Sequence, residues 1–326
     1  TGLMKSMVNG SKWVAQIKIV LCGLFFSIST STSAQLSNFL EWESKLYADH
    51  SLVGKIWNSA TGSYISITQL SEFSLSAKYL ILGEKHDNPD HHALQLNFVE
   101  FLINNDALSQ LTLEMMDSDS LSALQQMQGA NLESLDDIKN YLKWDDKGWD
   151  WNFYGPIVQA AYTAEVPLAA GNISSARMSE VYGQSSLAAE FDILNAATMN
   201  QLIVDIDESH CGLLPESQFP AMVRVQQARD YSMAQSMAAP DDSEIAVLVA
   251  GNYHARQDLG VPNYLLAKHN NLSRDDIVSI AFMEVQPNEE NPESYLQRYS
   301  DVVAYDYVWF TPVISEEDYC ASLRSQ

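Results

Sequence analysis

The chain has 326 residues, 46% of them hydrophobic, and a formal net charge of -24 from 18 Lys and Arg against 42 Asp and Glu. A disordered chain would be poorer in apolar and aromatic residues, so the composition is that of a folded protein. The acidic balance argues against nucleic acid and anionic lipid as partners, because both are met by basic patches. In chain order, Lys5, Lys12 and Lys18 come first, then an apolar run from Ile19 to Ile28, then a small polar stretch ending in Ala34. A basic start, a short apolar run and a small-residue exit predict a signal peptide over residues 1–34. The run is shorter than the roughly 20 residues a membrane span needs. Leu21 is too large to precede a lipidated Cys22, so a periplasmic or cell-envelope protein without a lipid anchor is expected. Cleavage leaves Cys211 and Cys320, which an oxidising compartment would pair; two free thiols are the alternative.

Further along, residues 38–49 read as a short helix. Gly54–Asn58 and Tyr64–Ile67 read as a hairpin around Ala60-Thr61-Gly62. Short apolar runs then recur at Tyr79–Leu82, Leu111–Leu113, Val166–Ala169, Ile245–Ala250, Ile277–Phe282 and Tyr305–Phe310, mostly with amphipathic stretches between them. That alternation predicts an α/β fold over residues 35–326, with a mainly parallel sheet flanked by helices. The gap from Gly171 to Ser243 is too long for one crossover. It predicts a smaller all-helical lid subdomain inserted at about residues 172–240, over the sheet edge. Its clearest helix runs from Pro215 to Ala238 and carries Met222, Gln226, Arg229, Met233 and Met237 on one stripe. Methionines at that spacing are ordinarily core. Gln226 and Arg229 beside them need a buried partner, an acidic ligand group or water, and for Arg229 a salt bridge to a sheet carboxylate would suffice.

Ligands of parallel sheets bind at the carboxyl ends of strands. There, Leu80-Ile81-Leu82 runs into Gly83-Glu84-Lys85-His86-Asp87-Asn88-Pro89-Asp90-His91-His92. Asn88 suits a helix N-cap and Pro89 the first helical position, which places Glu84 and His86 on the strand-to-helix loop. His91 and His92 fall in the helix's first turn, where the dipole favours neutral imidazoles. Leu111-Thr112-Leu113 leads into Glu114, and Val247–Ala250 into Gly251-Asn252-Tyr253-His254. Two Gly-x-x-His loops plus two carboxylates make a cluster of Glu84, His86, Glu114 and His254. Such a cluster suits a hard or borderline metal, or acid–base chemistry with a carboxylate orienting each imidazole. The sequence has no Gly-x-Ser-x-Gly elbow, phosphate loop or His-Glu-x-x-His helix. The Trp144–Trp151 segment reads either as a packed loop or as a ligand shelf.

Several of these segments, in order, resemble the ChaN family of haem-binding uptake proteins in the Tiki superfamily. They are Gly83–His92 with Gln95, Glu114-Met115, Trp144 with Gly148–Trp151 and Tyr154, and His210–Pro215. Gln227–Asp230 with Met233, and Gly251–His254 with Gly260-Val261-Pro262 and Leu265, complete the set. The resemblance implies an α/β domain with a smaller helical part, and haem or iron acquisition at a bacterial envelope. It implies a tyrosine ligating haem iron in a pocket shared by two subunits, hence a homodimer working with envelope uptake machinery. Tyr253 and Tyr154 are the candidate ligands because both lie in matched segments. Arg229 or Arg256 would meet the propionates, and the methionine stripe and Trp151 the porphyrin face. His91 and His92 are further cofactor-binding candidates. Family members are often lipoproteins, from which this chain departs. The superfamily also holds metal-dependent peptidases and erythromycin-esterase-like hydrolases. On that alternative Glu84, His86, Glu114 and His254 would be catalytic around a divalent metal ion, with Glu84 or Glu114 as general base on its water.

Overall fold

A computed structural model describes Gly2 and residues 34–37, 41–186, 188–296, 299 and 301–324. The expected leader lies outside these residues apart from Gly2 and Ala34. A short hairpin opens the fold: strand β1 (Ile56–Asn58) pairs antiparallel with β2 (Ser63–Ile65). Helix α1 (Ile67–Leu75) starts at a reciprocal cap between Ser66 and Gln69. Strand β3 (Tyr79–Glu84) and helix α2 (Pro89–Asn104) follow, then β4 (Leu108–Asp117), α3 (Leu121–Gln126), α4 (Leu135–Leu142), α5 (Trp151–Thr163) and β5 (Leu168–Asn172). Three helices come next, α6 (Ser175–Gly183), α7 (Ala196–Ser209) and α8 (Phe219–Ser236). The chain closes with β6 (Ile245–Gly251), α9 (Asn252–Ala255), α10 (Val261–Lys268), β7 (Ile277–Glu284), β8 (Tyr307–Thr311) and α11 (Tyr319–Arg324). No described helix is long and apolar enough to cross a membrane.

The eight strands form one mixed sheet in the order β2-β1-β8-β7-β3-β6-β4-β5. Strands β8 to β5 in that order are parallel, and only the hairpin at one edge is antiparallel. The apolar runs of the central strands are continuous because both faces are covered. Leu80, Leu82, Val247 and Val249 point to one side and pack with Leu94 and Phe98 of α2 and Ile157 of α5. Tyr79, Ile81, Ala246, Leu248 and Ala250 point to the other and pack with Met233, Met237 and Leu265 of α8 and α10. This alternation decides where the strand-end acids go. Glu84 continues the Leu80–Leu82 parity toward α5, whereas Glu114 has the opposite parity to Leu111 and Leu113 and turns toward α8.

The helix expected over residues 38–49 is not present in its described part, residues 41–49. There the backbone N–H groups of Glu43 and Ser44 donate to the Asp90 carboxylate, and Leu46 bridges Val313. Contacts distant in sequence, with a turn over residues 47–49, override the local helical pattern of this stretch.

Candidate functional site

The N-terminus of α2 forms as its sequence dictates. The Asn88 side chain accepts from the backbone N–H groups of Asp90 and His91, and Pro89 occupies the first turn. The loop before it carries His86, and β3 ends on Glu84. In register, Glu84 lies beside Gly251 of β6, and Leu113, one residue before Glu114, beside Val249. The carboxyl ends of β3, β4 and β6 therefore meet, and a cleft of about 440 Å³ opens there, a size ordinary for a small-molecule site. Glu84, His86, Glu114 and His254 all line it, together with Trp149, Arg229 and Tyr253. Leu202, Asp205, Ile206 and Ser209 supply a wall from α7.

Two carboxylate–imidazole units stand in the cleft. In the first, Oε1 of Glu84 lies 2.5 Å from Nδ1 of His86 and accepts from the Tyr154 hydroxyl at 3.0 Å. Glu84 is 2% exposed, whereas the His86 side chain is 45% exposed. The His86 ring lies over Gly251, where a Cβ would come within 3.0 Å of its Cε1 and Nε2. Burial lowers the His86 pKa, but the Glu84 hydrogen bond and charge outweigh it and the net shift is upward. Tyr154 is pushed well above its usual value by burial and by Glu84, so it stays a hydrogen-bond donor.

In the second unit, His254 is held at both ring nitrogens. Its Nδ1 lies 2.5 Å from Oδ1 of Asp230, and its Nε2 3.3 Å from Oε1 of Glu114. Nε2 of Gln226 approaches the same Nδ1 at 3.2 Å. Burial opposes charging the ring, but Glu114 and Asp230 prevail and lift its pKa to about 9. Glu114 also meets Nη2 of Arg229 at 2.5 Å and accepts the Gly251 N–H at 2.8 Å. Burial would raise its pKa; His254 and Arg229 hold it well below the carboxylate range instead. Asp230 is raised by burial against the pull of His254 and Arg229. Asp230 is the residue that the spacing argument missed. It lies beside Arg229 in the Gln227–Asp230 segment, one position off the stripe read along α8, and His254 is its natural counter-charge.

The sequence features of this cleft have a family match. The family of haem-binding uptake proteins called ChaN, of the Tiki superfamily, matches residues 72–265. The chain belongs to that family. Among solved structures, ChaN of Campylobacter jejuni, described with cofacial heme binding, aligns with a TM-score of 0.63 at 23% identity. The alignment covers 78% of this chain and 95% of that one, a likeness of fold. An erythromycin esterase, EreC, in its open conformation aligns at TM-score 0.43 and 13% identity, over 77% of this chain and 94% of that one. The type III effector HopBA1 aligns at TM-score 0.41 and 11% identity, over 76% and 92%. No curated protein matches the chain.

Within this ChaN-family chain, several residues that the sequence singled out sit away from the cleft. His91 is fully buried; its Nδ1 accepts the Lys85 N–H and its Nε2 lies 2.9 Å from Thr311 Oγ1. Burial, with His92 and Lys85, drives its pKa well down, so it is neutral. His92 is buried between Gln95 and the His86 carbonyl. Both histidines brace the loop from behind and do not line the cleft. Arg256 is held at two points by Asp258, at 2.8 and 2.7 Å, and lies over the Tyr299 ring, so it faces no cleft ligand. Met233 and Met237 are fully buried against the sheet, and Trp151 packs on Trp144 and Gly155. Trp149, edge-on to His86 with ring centroids 4.9 Å apart, takes the aromatic position in the cleft instead.

The four-residue cluster does not fit a divalent ion. Both nitrogens of His254 and Nδ1 of His86 already face carboxylates. Among the described residues no group of three or more His, Cys, Asp and Glu side chains is arranged to hold a metal. Tyr253 differs from all of these: it lines the cleft, and its buried hydroxyl lies beside the Asp205 carboxylate.

Proposed function

We propose that the chain is a haem-binding envelope protein that takes haem into the strand-end cleft beneath α7 and α8, with Tyr253 as the iron ligand. Membership of the haem-binding family supports the cofactor. The observation that carries the site is Tyr253, which lines the cleft with its buried hydroxyl beside the Asp205 carboxylate. Burial and the neighbouring Asp205 push that phenol well above its usual pKa, so it ionises only against a strong Lewis acid. Ferric haem iron is one, and a phenolate is the ligand it would take. Trp149, Leu202 and Ile206 offer apolar surface to a porphyrin. Arg229 is engaged by Glu114 and mostly buried, so the more exposed Lys85 and His86, although paired with Asp87 and Glu84, are the cations that propionates would meet at the mouth. A leader at residues 1–34, action in haem or iron uptake, and pairing of two copies around the cofactor belong to the same proposal.

Titration of the protein with hemin tests it. The expected result is a saturable visible spectrum with a phenolate-to-iron band, absent from Tyr253→Phe. An unchanged band in Tyr253→Phe would move the ligand elsewhere, and no spectral change with the native protein would end the haem reading.

A second reading rests on the Glu84–His86 unit. A buried carboxylate fixes one imidazole nitrogen and leaves the other beside Gly251, at the cleft. That is the arrangement of an oriented general base, which would activate water for hydrolysis without a metal. If His86→Gln leaves any measured hydrolytic activity unchanged, this reading fails.

A further inference from the structure

Tyr253 is half-buried at the cleft, but the tip of its side chain, the hydroxyl, is covered completely. The cover comes from α7. Leu202, Asp205 and Ile206 stand three and four residues apart, on one face of that helix. Leu202 and Ile206 share an apolar cluster with Tyr253 and with Val223 of α8, and the Asp205 carboxylate lies beside the Tyr253 hydroxyl. No iron atom reaches that oxygen while α7 keeps this position.

The attachments of α7 show how it could move. Before the helix, Phe191 is buried with Val181, Val225 and Ala228, and its carbonyl accepts from Gln227 Nε2 at 3.1 Å and from the Tyr264 hydroxyl at 3.2 Å. After it, Cys211 is bridged to Cys320, and its carbonyl accepts from Arg324. Irregular chain joins the helix to these anchors: residues 192–194 at one end, and left-handed backbone at Cys211 and Gly212 at the other. The side-chain hydrogen bonds of α7 run within the helix and its cap, from Thr198 to Asn195, Gln201 to Asp205 and Ser209 to Ile206. What holds the helix down is the small cluster around Leu202 and Ile206, which is separate from the two large cores on the faces of the sheet. Elements with few buried apolar contacts are the ones that open first.

We propose that α7 is a flap over the cleft, which swings about its anchors at Phe191 and Cys211 to uncover the Tyr253 hydroxyl. The flap rests on the reading of Tyr253 as the haem-iron ligand and adds the step that admits haem to it. The bridge at Cys211 acts as a fixed pivot, so the helix lifts without leaving the molecule. The closed form hides the phenol, and the open form is the one that binds.

Two measurements test the flap, one of them without haem. Val223→Ala thins the packing beneath α7 and replaces a residue that does not line the cleft. In rapid mixing with excess hemin, the rate of the phenolate-to-iron band should level off as hemin rises, at a ceiling set by opening. The ceiling should be several-fold higher in Val223→Ala. Without haem, nitration of Tyr253 by tetranitromethane, mapped by peptide mass, should also be several-fold faster in Val223→Ala. Tyr154, fully buried and bonded to Glu84, should keep its native rate and so reports any general loosening. A band whose rate climbs in proportion to hemin without a ceiling would overturn the flap and leave the haem reading standing. Equal Tyr253 nitration in the two proteins, or Tyr154 accelerating together with Tyr253, would also overturn it. Absence of any hemin band would end the haem reading and, with it, the admission of haem by α7.

Discussion

His254 sits between two acids inside a protein whose interior would otherwise keep it neutral. Its folded pKa of about 9 lies above the ordinary imidazole value of 6.5. A raised pKa means that the folded state holds the proton more tightly. The stability so gained is complete below about pH 6.5 and is lost as pH rises through about 9. The shift corresponds to roughly 3 kcal/mol. His86, also shifted upward, adds to the same slope. Glu114 acts at the other end: its depressed pKa gives stability present above about pH 4.5 and lost as the medium becomes more acidic. Urea midpoints measured from pH 6 to 10 should fall with pH in the native protein and flatten in His254→Gln. A native protein whose midpoint does not change over that range would contradict the two-acid clamp.

Helix α8 shows what an element-level pattern can and cannot reveal. Its extent was legible, as were all the parallel strands, because continuous apolar runs and helical stripes follow directly from two-sided burial. Gln226, Arg229 and Asp230 grip His254, Glu114 and Asn172, so one helix face locks three strand ends. The stripe named two of the three. It could not separate methionines that end in the core from polar residues that end at the cleft, because helical spacing records a direction and not a depth. Likewise the strand-end rule located Glu84, His86, Glu114 and His254. It could not tell that both nitrogens of His254 are spent on carboxylates, which depends on side chains from a helix 24 residues away. Short-range histidine enrichment misled for the same reason: His91 and His92 share a sequence window with His86 but face into the α2 core. The latch predicts an unequal pair of mutants. Arg229→Met leaves a buried carboxylate short of a partner and should cost about 2–3 kcal/mol. Arg177→Met removes only an exposed pair with Glu180 and should cost about 0.5 kcal/mol or less. Equal urea midpoints for the two variants would remove the latch.

At the scale of the whole molecule, the chain end returns to the cleft wall. Cys211, two residues beyond α7, is paired with Cys320 in α11, and Nη2 of Arg324 donates to the Cys211 carbonyl at 3.1 Å. The sequence offered the pairing only as the choice of an oxidising compartment; the fold supplies the reason, since β8 carries the chain back to the α7 end of the sheet. The bridge joins residues 109 apart in sequence. Closing a loop of that length in the unfolded chain is worth about 4–5 kcal/mol on the chain-entropy account. In a chain of this size that corresponds to a drop in Tm of roughly 10 °C when the bridge is opened. Cys211→Ser with Cys320→Ser, and the reduced native protein, should both melt lower by about this amount. Because α7 contributes Leu202, Asp205, Ile206 and Ser209 to the cleft, its amides should also exchange faster without the bridge, while those of β3 and β6 stay protected. Native melting in a sample whose two thiols are shown to be alkylated would mean that α7 is held by its packing on α8 alone. Loss of protection spread evenly over the sheet would mean that the bridge stabilises the fold at large and does not act on the cleft wall.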